Sequence, residues 1–570
     1  MVCITFLLSA CMDFSKILWR SIGKLGISVL ETRLPLRISL THLICLSVFV
    51  HGVVSESPET WWTVGQDELR DTLKSKLNHN IAKNVIVFLG DGMGVTTVTA
   101  ARILKGQLDG KSGEEGYLHF DRFPHTGLLK AYSNDKQVSE SSASGTALFS
   151  GMKVNSETIG LDSSAVPKEC KNSHLHHIDG LLLWAQQAGK STGIISNTRV
   201  VDSTPASLYA HTPEEDWEVD SAIPASQREL GCKDISVQLI DDLPGRNINV
   251  ILGGGRLSFL PQNHLDEESN SYGKRLDGRN LVEEWMHDKR RRNASAGYMQ
   301  NKEDLKNMAN AENEFLLGLF NPEKMSFAWD RGDSSPEPAL DEMAVAAVRV
   351  LRRNPKGFFL MIEGGLIDDA HHRGMAANAL HETIALDKAV RAIDDCTHEN
   401  DTLLVVVADH SHSLLFLGYQ KRGTSILGLA NAKKAADGKP YTSLLYASGP
   451  ESPLNTPRLN ISGQDTSKLC SNGIRQDLKL LKYLLKHYTV TAFSGKEKST
   501  ILRKVPHYIK LHPRQDTGNQ LSFRLLGLCT WEKMFQYMPK DQCPISLAAS
   551  MNKTTLRMRL ITLRATEAIF

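Results

Sequence analysis

The residues of this chain best suited to chemistry are carboxylates and histidines that follow short apolar runs. They form three clusters: Asp91 in a glycine-rich turn, then Glu363 and Asp368 with His371 and His372, and finally Asp409 and His410 with His412. Mixed carboxylate and imidazole ligands suit zinc, whereas an all-oxygen set suits magnesium. A single Asp or His in such a place is usually a helix cap or a hydrogen-bonded polar residue. We expect a metal centre because three clusters would meet at one edge of one sheet.

A serine-rich stretch offers a nucleophile. Residues 138–147 (VSESSASGTA) lead into a segment that can be helical. A hydroxyl near a helix N-terminus lies beside free backbone N–H groups and the positive end of the helix dipole. Without a metal centre nearby, the same stretch would be read as a helix cap in a serine loop.

The elements that must position these residues alternate along the chain. Five short apolar runs end in glycine or polar residues, at 85–89, 193–195, 250–252, 358–362 and 403–407. Continuous hydrophobicity is typical of strands covered on both faces in a parallel sheet. Helical patterns at 343–353 and 375–394 lie between strands, and the alternation predicts a layered α/β fold with its ligands beyond the carboxyl ends of the strands. The polar, charged residues 266–292 predict an excursion from the sheet.

Composition describes an ordinary globular chain. Its 570 residues are 41% hydrophobic and 23% charged, which excludes a disordered, collagen-like or polytopic membrane protein. The net charge of +2 conceals a split, since residues 471–570 hold 17 Lys and Arg against 6 Asp and Glu. This basic tail lacks the interleaved aromatic motifs of nucleic-acid binders, so nucleic-acid binding is not predicted.

The N-terminal region predicts entry into the secretory pathway. The run from Ile38 to Val54 is mostly apolar and follows several basic residues, which is typical of a signal with a long leader (residues 1–55) or of a short signal anchor. We therefore expect an extracellular or cell-surface glycoprotein, with acceptor triplets at Asn293, Asn460 and Asn552. The cysteines beyond residue 55 are even in number, which suits an oxidising compartment: Cys170, Cys232, Cys396, Cys470, Cys529 and Cys543.

Longer motifs carry a family resemblance. They are NVIVFLGDGMG at 84–94, TRV at 198–200, TPA at 204–206, YAH at 209–211, LGGGR at 252–256, RLDGRNLV at 275–282, GFFLMIEGGLID at 357–368 and ADHSH at 408–412. In type and order they resemble the metal-dependent alkaline phosphatases, especially the secreted and membrane-anchored forms of animals. The resemblance implies a three-layer α/β/α sandwich around a large, mostly parallel sheet. It also implies hydrolysis of phosphate monoesters through a phosphoserine, a catalytic domain at 56–449, a divergent basic tail at 450–570, and a homodimer.

The resemblance also implies roles for particular residues. Ser141 aligns with the family nucleophile, and Ser142 is the alternative. Two zinc ions and one magnesium ion would share seven ligands: Asp368 and His372 for the first zinc, Asp91, Asp409 and His410 for the second, and Asp91, Thr204 and Glu363 for magnesium. Asp202 and His412 would lie just outside these ligands.

Two peripheral features follow from the same resemblance. A calcium site would use Glu268, the Phe320 carbonyl, Asn321 and Glu337, although Asn321 replaces an acid and weakens the ligand set. The separation of Cys170 and Cys232 is similar to that of a family disulfide.

The chain departs from the family pattern in several places. Glu140 replaces the Asp before the nucleophile, and Glu215 stands where the family has an Arg that grips phosphate; losing such a donor costs about 2.7–4 kcal/mol. The histidine motif that supplies the last zinc ligand is missing, and His487 is a poor substitute because its neighbours are apolar and basic. These departures leave a second hypothesis, a catalytically impaired relative that binds metal or phosphate at the cell surface.

One further alternative function and two features of the C-terminus remain. A metal-dependent sulfatase or phosphodiesterase is disfavoured because its nucleophile context is not seen. Basic residues also interrupt the C-terminus where a lipid anchor would need an apolar stretch. The tail itself suggests a shifted reading frame or alternative splicing.

Overall fold

The computed structural model describes residues 57–74, 77–332, 334–430 and 438–447. The predicted leader, the basic tail and its residues His487, Asn460 and Asn552 lie outside the described residues. The chain divides into two compact units, residues 1–77 and 78–570. The described part of the first is helix α1 (Pro58–Lys74), none of whose residues is buried. In the described part of the chain, no helix combines the length and the apolar character needed to span a bilayer.

The second unit alternates strands and helices. Its strands are β1 (Asn84–Gly90), β2 (Ser191–Arg199), β3 (Val250–Gly254), β4 (Leu265–Asp266), β5 (Ser271–Tyr272), β6 (Ala296–Met299), β7 (Phe315–Leu319), β8 (Phe358–Gly364), β9 (Thr402–Ala408), β10 (Leu414–Phe416) and β11 (Leu444–Tyr446). Its α-helices are α2 (Val95–Leu108), α3 (Ser141–Ser150), α4 (Leu181–Gln187), α5 (Ser203–Ala206), α6 (Ala225–Arg228), α7 (Ile235–Asp241), α8 (Leu281–Arg291), α9 (Lys302–Asn310), α10 (Leu340–Leu351), α11 (Leu366–His372) and α12 (Ala376–Asp394).

Seven of the described strands form one sheet, in the order β6-β7-β3-β2-β8-β1-β9. Every neighbouring pair is parallel, which confirms the predicted parallel sheet. Leu89 of β1 stands opposite Glu363 of β8, and Gly90 stands opposite Ala408 of β9. Because the strands run in the same direction and in this register, the residues that follow β1, β8 and β9 meet at one edge.

Both faces of the sheet are covered, so the three-layer sandwich is confirmed. Alternate residues of a strand point to opposite faces. Leu89 packs on one side with Phe149 and Leu182, which belong to α3 and α4. Phe88 packs on the other side in a cluster with Met343 of α10 and Leu386 of α12.

The predicted excursion at 266–292 was only partly correct. Residues 265–272 form a separate two-stranded hairpin, but α8 returns to the layered body, with Trp285 1% exposed in the core. Leu281, Val282 and Trp285 are buried on one face of this otherwise charged helix. The charged residues around this short apolar stripe, of which Asp288 and Lys289 are buried as well, hid it in the sequence.

The prediction that all five runs are covered on both faces was wrong for β9. This strand is last in the order of the sheet, and Leu403 and Val405 are 49% and 36% exposed. An edge strand has a neighbour on one side only, so its apolar residues are less completely covered. Elsewhere, Cys170 and Cys232 form a disulfide with their Cα atoms 5.7 Å apart, the pairing that the resemblance implies.

Candidate active site

Asp91 lies at the centre of the site. It directly follows β1, which lies between β8 and β9 in the sheet. Gly92 adopts a positive φ of 62° in the turn that follows, and α2 begins at Val95. The turn leaves Asp91 6% exposed and directs the Gly92 N–H to Asp409 Oδ1, 3.1 Å away. The first and third sequence clusters therefore meet through a direct hydrogen bond.

Ser141 is the first residue of α3 and points at Asp91. Its Oγ donates to the Asp91 carboxylate, at 3.1 Å from Oδ1 and 3.0 Å from Oδ2, and lies 3.3 Å from His410 Nε2. Glu140 caps the helix, because its carboxylate accepts from Ser142 N at 2.6 Å and from Ala143 N at 3.3 Å. The Ser142 hydroxyl is fully buried and donates to Glu140 instead. Of the two candidate nucleophiles, the structure places Ser141 beside the central carboxylate.

Asp409 and His410 follow β9 and complete one group of potential ligands with Asp91. His410 Nε2 lies 3.3 Å from Asp91 Oδ1, 3.7 Å from Asp409 Oδ2 and 4.0 Å from Asp368 Oδ1. Ser144 Oγ donates to Asp409 Oδ2 at 2.8 Å, which holds that carboxylate in place. The ligand atoms of Asp91, Asp368 and His410 lie within 4.8 Å of one another.

A second group lies at α11 and the loop after β9. Asp368 Oδ2 is 3.3 Å from His372 Nε2, and Asp368 Oδ1 is in hydrogen-bond contact with His412 Nε2. The ligand atoms of these three residues also lie within 4.8 Å of one another. His371 does not join them, since its ring nitrogens pair with Thr97 Oγ1 at 2.9 Å and the Tyr446 hydroxyl at 2.7 Å.

The predicted magnesium ligands supply oxygen only. Thr204, on α5, donates from Oγ1 to Asp91 Oδ2 at 3.2 Å. Glu363 is 1% exposed at the end of β8, and its carboxylate accepts from Ser196 Oγ and, at 3.5 Å, from Thr198 Oγ1. This oxygen-only donor set fits magnesium, whereas the two mixed groups fit zinc.

The site concentrates negative charge in a buried place. Burial, together with the nearby Asp91, raises the pKa of Asp409 to about 6 and that of Glu363 well above its usual range. Although burial opposes the charged form of His410, the carboxylates of Asp409, Asp91 and Asp368 raise its pKa to about 11. Divalent cations would balance these carboxylates, so the residues present fit a metal centre.

Asp202 lies beside this centre and belongs to a charged group that sequence reasoning missed. Its carboxylate caps α5 through Ser203 N at 3.1 Å and lies 3.3 Å from Arg199 and 3.6 Å from Lys324. Lys324 Nζ is also 3.1 Å from Asp369 Oδ1. Burial alone would lower the pKa of Lys324, but the carboxylates of Asp202 and Asp369 raise it above its usual value. Lys324 therefore stays charged. No motif surrounds this lysine, since it lies in the loop after β7 and reaches the site only through folding.

Glu215 is close to the start of α3, beside Glu140 and Ser142. Its carboxylate accepts from Ser203 Oγ at 2.9 Å. Burial and the neighbouring Glu140 raise the pKa of Glu215 to about 8, because two carboxylates that share a poorly solvated place resist ionisation. The position that the resemblance assigns to a phosphate-gripping Arg therefore holds a second acid.

The proposed calcium ligands already have partners. Glu337 accepts from Asn321 Nδ2 at 2.7 Å, from Ser326 N at 2.8 Å and from Ser326 Oγ at 3.0 Å. Glu268 pairs with Arg256, whose side chain is fully buried. Because an amide group and a guanidinium occupy these carboxylates, the arrangement does not fit the oxygen cage that calcium requires.

Comparison with known proteins identifies the family. The model of the alkaline phosphatase family matches residues 82–475. The tissue-nonspecific isozyme of alkaline phosphatase from Gallus gallus is 45% identical over 400 residues, which are 69% of this chain and 76% of that protein. The alkaline phosphatase of Gadus morhua is 44% identical over 414 residues, 72% of this chain and 86% of that protein. The solved structure of Thermus thermophilus alkaline phosphatase gives a TM-score of 0.48 at 24% identity, covering 62% of this chain and 65% of that chain.

The sequence comparisons decide the assignment. A family match over more than half of the chain, and more than 40% identity with animal relatives, bear out the resemblance seen in the motifs. They give no support to the alternative of a non-catalytic relative. The chain belongs to the alkaline phosphatase family of phosphoric monoester hydrolases.

Proposed function

We propose that this chain hydrolyses phosphate monoesters through a phosphoserine at Ser141, in a centre of two zinc ions and one magnesium ion. The observation that carries the proposal is the position of Ser141 Oγ, 3.0 Å from Asp91 Oδ2 and 3.3 Å from His410 Nε2. A hydroxyl held beside shared metal-ligand residues is well placed to attack a phosphorus atom bound there.

The proposed ligands follow the groups described above. Asp368 and His372 would hold one zinc, Asp91 with Asp409 and His410 the other, and Asp91 with Thr204 and Glu363 the magnesium. Bound ions would lower the pKa of the attacking oxygen and stabilise negative charge on the phosphoryl oxygens.

The residues of the chain supply the nucleophile and its orientation. Ser141 Oγ forms the bond to phosphorus, the ester P–O bond breaks, and the alcohol leaves with a proton. Water then hydrolyses the phosphoserine, releasing phosphate and restoring the Ser141 hydroxyl. Glu140 fixes the first turn of α3, and the hydrogen bond to Asp91 selects the orientation of the Ser141 side chain.

The test combines metal analysis with trapping of the intermediate. Protein stripped with a chelator should regain hydrolysis of a chromogenic phosphate ester after zinc and magnesium are added. Acid quenching during turnover should leave phosphate on the peptide that contains Ser141, located by mass spectrometry, and Ser141→Ala should abolish both signals. Phosphate found on another residue, or activity retained by Ser141→Ala, would refute the assignment of the nucleophile.

We further propose an extracellular or cell-surface homodimer that binds phosphate monoesters. The Cys170–Cys232 disulfide supports an oxidising compartment. Sedimentation of the purified chain would test the dimer, since a single species of monomer mass at micromolar concentration would contradict it.

A further inference from the structure

We propose that His412 is the third protein ligand of the first zinc, beside Asp368 and His372. This inference rests on the proposed metal centre and extends it to a residue that the family resemblance places outside the ligands. Catalytic zinc sites usually have three protein ligands and one open position, and two histidines with one carboxylate are a common donor set.

The three side chains already converge. His412 Nε2 contacts Asp368 Oδ1, and His372 Nε2 lies 3.3 Å from Asp368 Oδ2. The three ligand atoms lie within 4.8 Å of one another, and the two imidazole rings are 4.9 Å apart at 84°. Ligands that bind a tetrahedral zinc at about 2.0–2.1 Å are separated by about 3.4 Å. Small rotations of the side chains would bring all three to bonding distance.

Gly92 makes room for the His412 ring because it has no side chain. A Cβ atom at Gly92 would lie 2.5 Å from His412 Cδ2 and 3.1 Å from Asp368 Oδ1. Any side chain at residue 92 would therefore push the imidazole away from the carboxylate. The positive φ of 62° at Gly92 also favours glycine there.

The ring of His371 packs against the ring of His412 on its buried side. The ring of His371 lies 4.8 Å from that of His412 and is held on both nitrogens by Thr97 and Tyr446. The side chain of His412 is 14% exposed, whereas that of His372 is 71% exposed. The group is therefore buried on the side of His412 and exposed on the side of His372, where a substrate oxygen could approach a bound metal.

This zinc site adjoins the group of potential ligands formed by Asp91, Asp409 and His410. Asp368 Oδ1 lies 4.0 Å from His410 Nε2, so Asp368 stands between the two groups. With His412 as a ligand, each zinc would have three protein ligands from the described residues, and Ser141 would lie next to one of them. Two metals in such neighbouring sites can stabilise the attacking and the leaving oxygen of one phosphoryl group.

The experiment must distinguish a ligand from a residue that only orients Asp368. The full chain is stripped of metal and titrated with zinc against a chromophoric chelator. Glutamine at residue 412 can still donate a hydrogen bond to Asp368 but is a poor zinc ligand, whereas cysteine binds zinc well. We expect His412→Ala and His412→Gln to weaken binding of one zinc more than 100-fold, and we expect the same of His372→Ala. His412→Cys should bind this zinc more tightly than His412→Gln.

Two results of the zinc titration would overturn the proposal. A residue that acts only through a ligand typically costs 10- to 100-fold in metal affinity. A loss below 100-fold in His412→Gln, or tighter binding by the Gln variant than by the Cys variant, would show that His412 is not a ligand. His287→Ala, on the exposed face of α8, is the matched control and should bind zinc unchanged. Thermal unfolding confirms that each variant is folded, and zinc binding is read whether or not the protein turns over substrate, so failure of the proposed function remains distinguishable.

Discussion

Replacing Glu215 with arginine should accelerate phosphate ester hydrolysis. Glu215 lies beside Ser203 and Glu140, in contact with the helix that presents Ser141. At pH 9 a carboxyl with a pKa of about 8 is about 90% ionised, and its charge would repel a phosphate dianion. The substitution removes that charge and adds a planar group with donors for phosphate oxygens.

The size of the effect follows from the value of one transition-state donor. Such a donor contributes about 2.7–4 kcal/mol, or about 10²–10³ in rate. Part of the new charge would be neutralised by Glu140, so we expect Glu215→Arg to raise kcat/KM at pH 9 by about 100-fold. The assay is hydrolysis of a chromogenic phosphate ester by protein reloaded with zinc and magnesium.

Glu215→Gln separates the two contributions, because it removes the charge without adding a cation. We expect a smaller gain, which grows as the pH rises through 8, where the parent carboxyl ionises. Ionisation of Glu215 should also destabilise the folded protein. Since folding raises the pKa of Glu215 from 4.5 to about 8, the stability present below pH 4.5 is lost as the pH rises through 8. The Tm of Glu215→Gln should therefore exceed that of the parent more at pH 9 than at pH 5.

Two results would refute this reasoning. If Glu215→Arg is folded and loaded with metal but hydrolyses the ester no faster than the parent, residue 215 does not face the bound phosphate. If Glu215→Gln and the parent show the same pH dependence between 7 and 9, the carboxyl does not ionise beside the substrate.

Three further predictions concern Lys324, the cap of α3 and the peripheral calcium position. Lys324→Met should raise KM for the ester about tenfold and Lys324→Arg much less, because Lys324 is a cation at the rim of the site; equal KM values in all three proteins would contradict this. Glu140→Ala should lower the free energy of unfolding by about 0.5–2 kcal/mol through loss of the α3 cap, whereas Glu140→Asp should preserve most of it in denaturant titrations. Calcium should leave the Tm of the parent unchanged and raise that of Asn321→Asp; a calcium-dependent Tm in the parent would show that the cage forms despite Asn321.

Much of the fold and the site could be predicted from local sequence. Continuous apolar runs located β1, β2, β3 and β8, because strands covered on both faces lack polar alternation, and a similar run located the more exposed edge strand β9. The residues after β1, β8 and β9 were expected to meet because parallel strands end at a common edge, and they do so around Asp91. The helix that begins at Ser141 was likewise expected from its serine-rich start.

Other features depend on contacts between distant segments. The edge position of β9 follows from the order of strands, which no single run encodes. The burial of Trp285 requires a partner surface on the sheet, and its charged neighbours concealed it. Lys324 reaches Asp202 and Asp369 only because the loop after β7 folds over this edge.

By itself, the sequence determined the family, the parallel sheet and the identity of the residues at its edge. These properties follow from local hydrophobic patterns and from motifs that are contiguous in the chain. The tertiary structure decided which nitrogen and oxygen atoms face one another. His371 and His372 are adjacent in sequence. His371 is buried and hydrogen-bonded to Thr97 and Tyr446, whereas the ring of His372 lies beside that of His412. Side-chain direction depends on packing against remote elements, and metal coordination depends on that direction to within about 0.5 Å.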